Sequence, residues 1–239
     1  MKEAIKIVAL SDTHSYHHKV DVPAGDVLVF AGDLMTCGRK FHEVMSFASW
    51  FMKHPHPHKV LVAGNHDRLF QSQKAACINE FKIRPNGDFH YLEDSGCVIR
   101  GWNFWGSPYT PWFYNWAFDY YRGDGVKHWN KIPSDTDILV THGPPLGFGD
   151  QAIPYATNIG GIMQPPTEHV GCGELLNAVR LVKPAAHFFG HIHGGHGVHF
   201  DFKDQYNLNI DTAFHNVSIC NEDYDPVNPA HTLWLGERE

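Results

Sequence analysis

The chain lacks the usual features of a membrane, disulfide-stabilised or nucleic-acid-binding protein. No apolar run approaches the length of a transmembrane helix, so we expect no membrane partner. The five cysteines are widely spaced and form no Cys-x-x-Cys pair, which favours a reduced protein over a disulfide scaffold or a structural zinc site. Basic side chains are outnumbered, 19 Lys and Arg against 26 Asp and Glu, and the formal net charge is -7. Long nucleic acid is therefore not an expected partner, because its affinity depends on Lys and Arg contacts to phosphates.

The chain also lacks internal repeats, low-complexity tracts and linkers. Its apolar fraction, 43%, is ample for a packed core, and α/β chains of this length often form one domain. We therefore expect a single domain over residues 1–239. A cleaved signal peptide would remove Asp12, the first residue of the first motif described below, so we expect a soluble cytoplasmic protein.

Five short polar motifs each follow an apolar run with the length and composition of a buried strand. An apolar stripe from Val44 to Met52 predicts a helix between the second and third motifs, and Gly173–Val182 predicts another. The alternation of strands and helices favours an α/β fold. In chain order the motifs are Asp12-Thr13-His14, Gly32-Asp33, Gly64-Asn65-His66-Asp67, Thr141-His142-Gly143 and Gly190-His191-Ile192-His193.

These motifs carry the donor types of a dinuclear metal centre. Side chains at the carboxyl ends of strands meet in the binding crevice of an open α/β sheet. Imidazoles and carboxylates with one amide oxygen suit Mn, Fe, Zn or Co better than Mg or Ca. A carboxylate such as Asp33 can bridge two cations. Two divalent ions against Asp12 and Asp33 leave about +2 in the cleft, enough to attract a phosphate to an acidic protein.

The five motifs together resemble the pattern of the calcineurin-like metallophosphoesterase superfamily, which reads D-x-H, G-D, G-N-H-[DE], H and G-H-x-H. Three further segments, 106–111, 143–147 and 217–221, resemble the metallophosphoesterase-domain-containing branch, which is related to class III cyclic-nucleotide phosphodiesterases. The resemblance implies a four-layer α/β/β/α sandwich built from two mixed sheets.

The resemblance also implies a role for each motif residue. The first metal would be held by Asp12, His14 and His193, with Asp33 as the bridge. The second would be completed by Asn65, His142 and His191. Asn65 and His66 would contact the substrate, and His66 would protonate the leaving oxygen, the alternative being a phosphate-binding or structural imidazole. Asp67 either orients His66 or caps a turn.

The function implied is that of a dinuclear metal-dependent phosphoesterase. We expect a phosphodiesterase for nucleotide-type diesters, including cyclic ones, with a metal-bridging hydroxide as nucleophile and His66 as general acid. Among the possible metals we expect Mn to support activity. The alternatives are a phosphomonoesterase, acting on nucleotides or proteins, and a catalytically silent metal-binding scaffold.

Other segments carry weaker predictions. The aromatic side chains of Trp102–Tyr121 either stack on a nucleobase or form core or a homodimer interface, and we favour a structural role. The Gly/Pro-rich connection that includes Ile153–Pro166 is long enough to form a rim over the metals. His17 and His18 are expected in a solvated loop. His54–His58, where histidine alternates with proline, is expected to be an exposed extended loop.

Overall fold

The computed structural model describes residues 2–152, 168–200 and 211–236. Its strands and α-helices are, in chain order, β1 (Ile5–Leu10), β2 (Val27–Ala31), α1 (Phe41–Lys53), β3 (His58–Val62), α2 (Arg68–Ser72), α3 (Lys74–Lys82), β4 (Asp88–Tyr91), β5 (Ser95–Ile99), β6 (Trp102–Ser107), β7 (Thr110–Pro111), β8 (Asp119–Tyr120), α4 (Val126–Trp129), β9 (Ile138–Thr141), β10 (Gln151–Ala152), β11 (Glu168–His169), α5 (Gly173–Val182), β12 (Ala186–Phe189), β13 (Gly197–His199), β14 (Ala213–Asn216) and β15 (His231–Leu235).

Two mixed sheets form the centre of the molecule. The first has the strand order β15-β1-β2-β3-β4, in which only the edge strand β15 runs antiparallel to its neighbour. The second has the order β13-β14-β12-β9-β6-β5, in which the inner four strands are parallel and the edge strands β13 and β5 are antiparallel. The parallel strands β1, β2, β3, β9 and β12 are those that precede the five motifs.

Successive side chains on each strand point to opposite faces of the sheet, and this alternation produces the layers of the fold. Ile7 lies in one core with Phe188, so the two sheets pack face to face. Val8, its neighbour on β1, points the other way and packs in a second core with Phe47 of α1. A third core joins the outer face of the second sheet to α5. The order of layers is helix, sheet, sheet, helix, and the predicted α/β/β/α sandwich is confirmed.

Both predicted helices are present as α1 and α5, but two predictions for histidines outside the motifs were wrong. His17 is 1% exposed rather than solvated, because its ring packs edge-on against Phe47 and its Nε2 bonds the Ser46 hydroxyl at 3.1 Å. His56 is also 1% exposed. The buried Lys59 ammonium donates to the His56 carbonyl at 2.8 Å and draws this segment onto the sheet.

The aromatic segment Trp102–Tyr121 divides into two parts. Most of its side chains outside residues 112–116 are buried, as a structural role requires. Those at 112–114 are exposed. The segment Ile153–Pro166, predicted to form a rim, lies outside the described residues. Among the residues that the structure does describe, no helix combines the length and the apolar character needed to cross a membrane.

Candidate metal centre

The motif residues meet because the strands that carry them end at adjacent edges of the two sheets. Asp12 and Asp33 each lie two residues beyond their strand, β1 and β2 respectively. His142 follows β9 directly, and His191 lies two residues beyond β12. Since the carboxyl ends of neighbouring parallel strands lie side by side, these loops converge on one site. All seven residues predicted as metal ligands belong to it.

The first donor set consists of Asp12, His14 and His193, whose donor atoms lie within 4.8 Å of one another. The Nε2 atom of His193 is 3.4 Å from Asp12 Oδ1 and 3.2 Å from His14 Nε2. On the far side of each ring, Nδ1 donates to a backbone carbonyl, that of Met35 for His14 and that of Asn221 for His193. This hydrogen bond fixes the tautomer, so both Nε2 lone pairs face the centre.

The second donor set consists of Asp33, His142 and His191, again within 4.8 Å of one another. His142 donates from Nδ1 to the Ala31 carbonyl at 2.9 Å, and its Nε2 lies 2.8 Å from the Asn65 amide oxygen. The Oδ2 atom of Asp33 is 3.3 Å from His142 Nε2 and 3.9 Å from His14 Nε2. Asp33 therefore lies between the two sets, where a bridging carboxylate is required.

The backbone is strained at four of the ligand positions. Asp12, His14, Asp33 and His191 have φ angles of 52°, 40°, 61° and 69°. Such left-handed conformations cost on the order of 1–3 kcal/mol each and cluster at functional sites. Gly190 adds a close approach, because a Cβ atom there would overlap the Asp12 carboxylate. The backbone at these positions adopts energetically unfavourable conformations, and these conformations bring the side chains together.

The protonation states of the buried side chains suit divalent cations. Burial lowers the pKa of His14 to about 4 and that of His191 to about 3, so both imidazoles are neutral, the metal-binding form, at pH 7. Burial opposes ionisation of Asp12 and Asp33, but the surrounding imidazoles hold the pKa of both carboxyls below its ordinary value. Burial likewise opposes protonation of His142, yet the charge of Asp33 raises its pKa to about 9. Two buried carboxylates, the lone pairs of His14 and His191, and His142, whose proton a bound cation would displace, form a donor set that fits two transition-metal ions.

His66 lies beside the donors of the metal centre. Its backbone N–H donates to Asp33 Oδ1 at 2.7 Å, and its ring Nδ1 donates to the Thr36 carbonyl. The imidazole is partly exposed and lies within 4.8 Å, atom to atom, of the His14 and Asp33 donors. It stacks on Trp116, with ring centroids 4.1 Å apart and an angle of 20° between the planes. This arrangement leaves Nε2 available at the edge of the metal centre.

The Asp67 side chain forms hydrogen bonds with the backbone. Its buried carboxylate accepts hydrogen bonds from the N–H groups of Asp33 (2.9 Å), Met35 (2.9 Å) and Gly64 (2.8 Å). The sequence leaves two roles open for Asp67, orienting His66 or capping a turn. These hydrogen bonds to backbone N–H groups are those of a residue that caps turns. The turns concerned carry Asp33 and Asn65, so Asp67 positions two ligands at once.

Several residues of the site are not among the predicted ligands. The Ser218 hydroxyl donates to Asp12 Oδ2 at 2.9 Å. The Tyr224 ring lies across the first donor set, with its centroid 4.8 Å from the ring of His14 and 5.1 Å from that of His193. Ser218 follows β14 by two residues, so its strand-end position was a usable signal. Tyr224 carries no comparable signal in the sequence.

Comparison with known proteins identifies the family. The family model described as calcineurin-like phosphoesterase matches residues 5–195. The chain belongs to this family. As a calcineurin-like phosphoesterase it is 38% identical to Metallophosphoesterase domain-containing protein 1 of human and of mouse, over 94% of this chain and 69% of each relative.

The fold of this calcineurin-like phosphoesterase also matches solved structures. The crystal structure of TT1561 of Thermus thermophilus superposes with a TM-score of 0.59, covering 90% of this chain and 89% of that one. At 13% identity this likeness concerns the fold alone. Membership of the family supports a metal-dependent phosphoester hydrolase, and the resemblance predicted from the five motifs is confirmed.

Proposed function

We propose that this calcineurin-like phosphoesterase is a dinuclear metal-dependent phosphodiesterase for nucleotide-type diesters, including cyclic ones. The observation that carries the proposal is the pair of donor sets joined through Asp33, with the partly exposed His66 imidazole beside them. A site of this form can hold a phosphate and protonate the alcohol that leaves it.

Each side chain has a definable task. Two divalent cations, Mn in our proposal, would supply Lewis-acid activation of the phosphate and a hydroxide nucleophile. Asp33 would hold both donor sets in register. His66, fixed at Nδ1 by the Thr36 carbonyl, would donate a proton from Nε2 to the leaving oxygen. The Asn65 amide oxygen faces His142, so its Nδ2 protons are the donors that we assign to a phosphate oxygen.

The surroundings of His66 favour a diester over a monoester. Three exposed aromatic side chains, Trp112, Phe113 and Tyr114, lie in the same segment, residues 112–116, as Trp116. Trp116 contacts His66. Aromatic faces stack on any nucleobase, so they offer a surface for the substituents that a nucleotide diester carries. A monoester dianion would gain more from a cationic side chain directed at it. The Arg68 guanidinium in this region instead donates to the Asn115 carbonyl at 3.0 Å.

The experiment compares a nitrophenyl diester with the matching monoester, using metal-stripped protein before and after addition of Mn. We expect Mn to restore diester turnover, and cyclic 2′,3′ and 3′,5′ nucleotides would then be screened. Preference for the monoester would favour the phosphatase alternative. No turnover of either ester by protein with two bound metals would favour the scaffold.

The role of His66 is tested by substitution. His66→Ala should reduce turnover of a diester with a poorly acidic leaving alcohol by roughly 10²–10⁴, because it removes a general acid, while both metals remain bound. His42→Ala, which changes an exposed histidine on α1, is the matched control and should have no effect. Unchanged turnover in His66→Ala would exclude His66 as the acid.

A further inference from the structure

We propose that Trp116 is a positioning residue, which orients the His66 imidazole for proton transfer to the leaving alcohol. The inference rests on the proposed phosphodiester hydrolysis with His66 as general acid. Its basis is the near-parallel stacking of the two rings, 4.1 Å apart and inclined by 20°. An aromatic face at this distance restricts how far the imidazole plane can tilt.

Trp116 is itself held in place by the segment 65–68, which carries His66. The guanidinium carbon of Arg68 lies 4.7 Å from the Trp116 ring centroid, and the same side chain donates to the Asn115 carbonyl at 3.0 Å. On the other side, the N–H of Ala117 donates to the Asn65 carbonyl at 3.1 Å. The residues on both sides of Trp116 are therefore tied to the segment 65–68, and the stack is part of one local unit.

Two constraints then act together on the imidazole. The hydrogen bond from Nδ1 to the Thr36 carbonyl fixes the ring within its plane, and the Trp116 face fixes the plane itself. In the reaction the nucleophile oxygen forms a bond to phosphorus and the bond from phosphorus to the alcohol oxygen breaks. That oxygen leaves with the electron pair and takes the proton from His66 Nε2. A misplaced donor slows only this transfer.

Proton transfer from His66 affects the rate of hydrolysis more for some substrates than for others. A nitrophenolate leaves readily without a proton, whereas a poorly acidic phenol or an alkoxide does not. Loss of the Trp116 ring should therefore slow hydrolysis in proportion to the basicity of the leaving group. Damage to the metal centre or to general stability would instead slow all diesters alike.

The experiment measures kcat and KM for a series of methyl aryl phosphates whose phenols span a wide range of acidity, with Mn-loaded protein. We expect Trp116→Ala to reduce kcat by about 10–100-fold for the poorest leaving group, and by less than about threefold for nitrophenolate, with KM little changed. Trp116→Phe should recover most of the loss, because it retains an aromatic face. Trp234→Ala is the matched control, since Trp234 is 44% exposed on the edge strand β15 and lies outside the proposed binding surface.

A second readout does not depend on turnover. In metal-free protein the ring current of Trp116 should shift the carbon-bound imidazole protons of His66 upfield in the NMR spectrum. Trp116→Ala should abolish this shift, Trp116→Phe should retain part of it, and Trp234→Ala should leave it unchanged. Absence of an upfield shift in the unmodified protein would overturn the stacking on which the inference depends.

The outcomes separate this inference from the proposed function. If His66→Ala shows the dependence on leaving group and Trp116→Ala does not, His66 is the acid and the positioning role is refuted. An equal loss in Trp116→Ala across the whole series also refutes it. If the unmodified protein hydrolyses none of these diesters with Mn bound, the proposed function fails and the inference fails with it.

Discussion

Ser218 supports the first donor set without belonging to it, so its substitution should affect one metal and spare the other. The Ser218 hydroxyl and the Asp12 carboxylate are both fully buried, and they are 2.9 Å apart. In Ser218→Ala the carboxylate loses this fixed donor but keeps the hydrogen bond from the Ser11 hydroxyl and the contacts from the His191 N–H at 3.0 and 3.1 Å. Asp12 should remain near its position with more freedom to move.

The expected magnitude follows from what such supporting contacts contribute elsewhere. Loss of one outer hydrogen bond to a ligand weakens metal binding by about 10–100-fold. This corresponds to about 1.4–2.8 kcal/mol of binding free energy. We predict this weaker metal binding for the set of Asp12, His14 and His193. The metal affinity of the set completed by Asn65, His142 and His191 should not change.

Calorimetric titration of metal-stripped protein with Mn gives both binding constants in one measurement. Ser46→Ala is the matched control, because it removes a hydroxyl that contacts His17 and His18 away from the centre. Equal weakening of both constants would show that Ser218 acts on the whole centre through the fold. Two unchanged constants would refute the reasoning that this hydrogen bond holds Asp12 for its metal.

Two further predictions concern a glycine and a buried histidine. Gly190→Ala should remove one metal per chain by elemental analysis, because the added Cβ would overlap the Asp12 carboxylate and the Ser11 hydroxyl; two retained metals would contradict this. Burial lowers the pKa of His187 from 6.5 to about 3, so below pH 6.5 the unfolded chain binds a proton that the folded protein does not. Stability should fall by about 1.4 kcal/mol between pH 8 and pH 5.5 from this group alone. His187→Gln should remove that part of the loss in urea denaturation, and an identical loss in the variant would contradict the assignment.

The motif residues could be predicted because each is encoded locally. An apolar run followed within three residues by Asp, Asn or His marks the carboxyl end of a strand, and parallel strands bring such ends together. This reasoning brought the predicted ligands from Asp12 to His193 to one place without any long-range information, and their binding of metal stays a prediction. The helices α1 and α5 were predictable for the same reason, since their apolar stripes are continuous in the sequence.

The residues that support and flank the centre could not be predicted in this way. Trp116 lies 50 positions after His66 and Tyr224 lies 210 positions after His14, and no spacing pattern links the members of either pair. The burial of His17 and His56 was missed because neighbours on other elements, Phe47 and Lys59, decide it. The single domain over residues 1–239, the homodimer and the cytoplasmic location stay predictions.

The dinuclear, metal-dependent chemistry is best tested by titrating metal-stripped protein with Mn while bound metal and diester hydrolysis are followed in the same samples. We predict two Mn ions per chain, no turnover in the stripped protein, and turnover that rises as the second ion binds. Turnover without metal, or saturation at one ion per chain, would contradict a centre built from two donor sets that share Asp33.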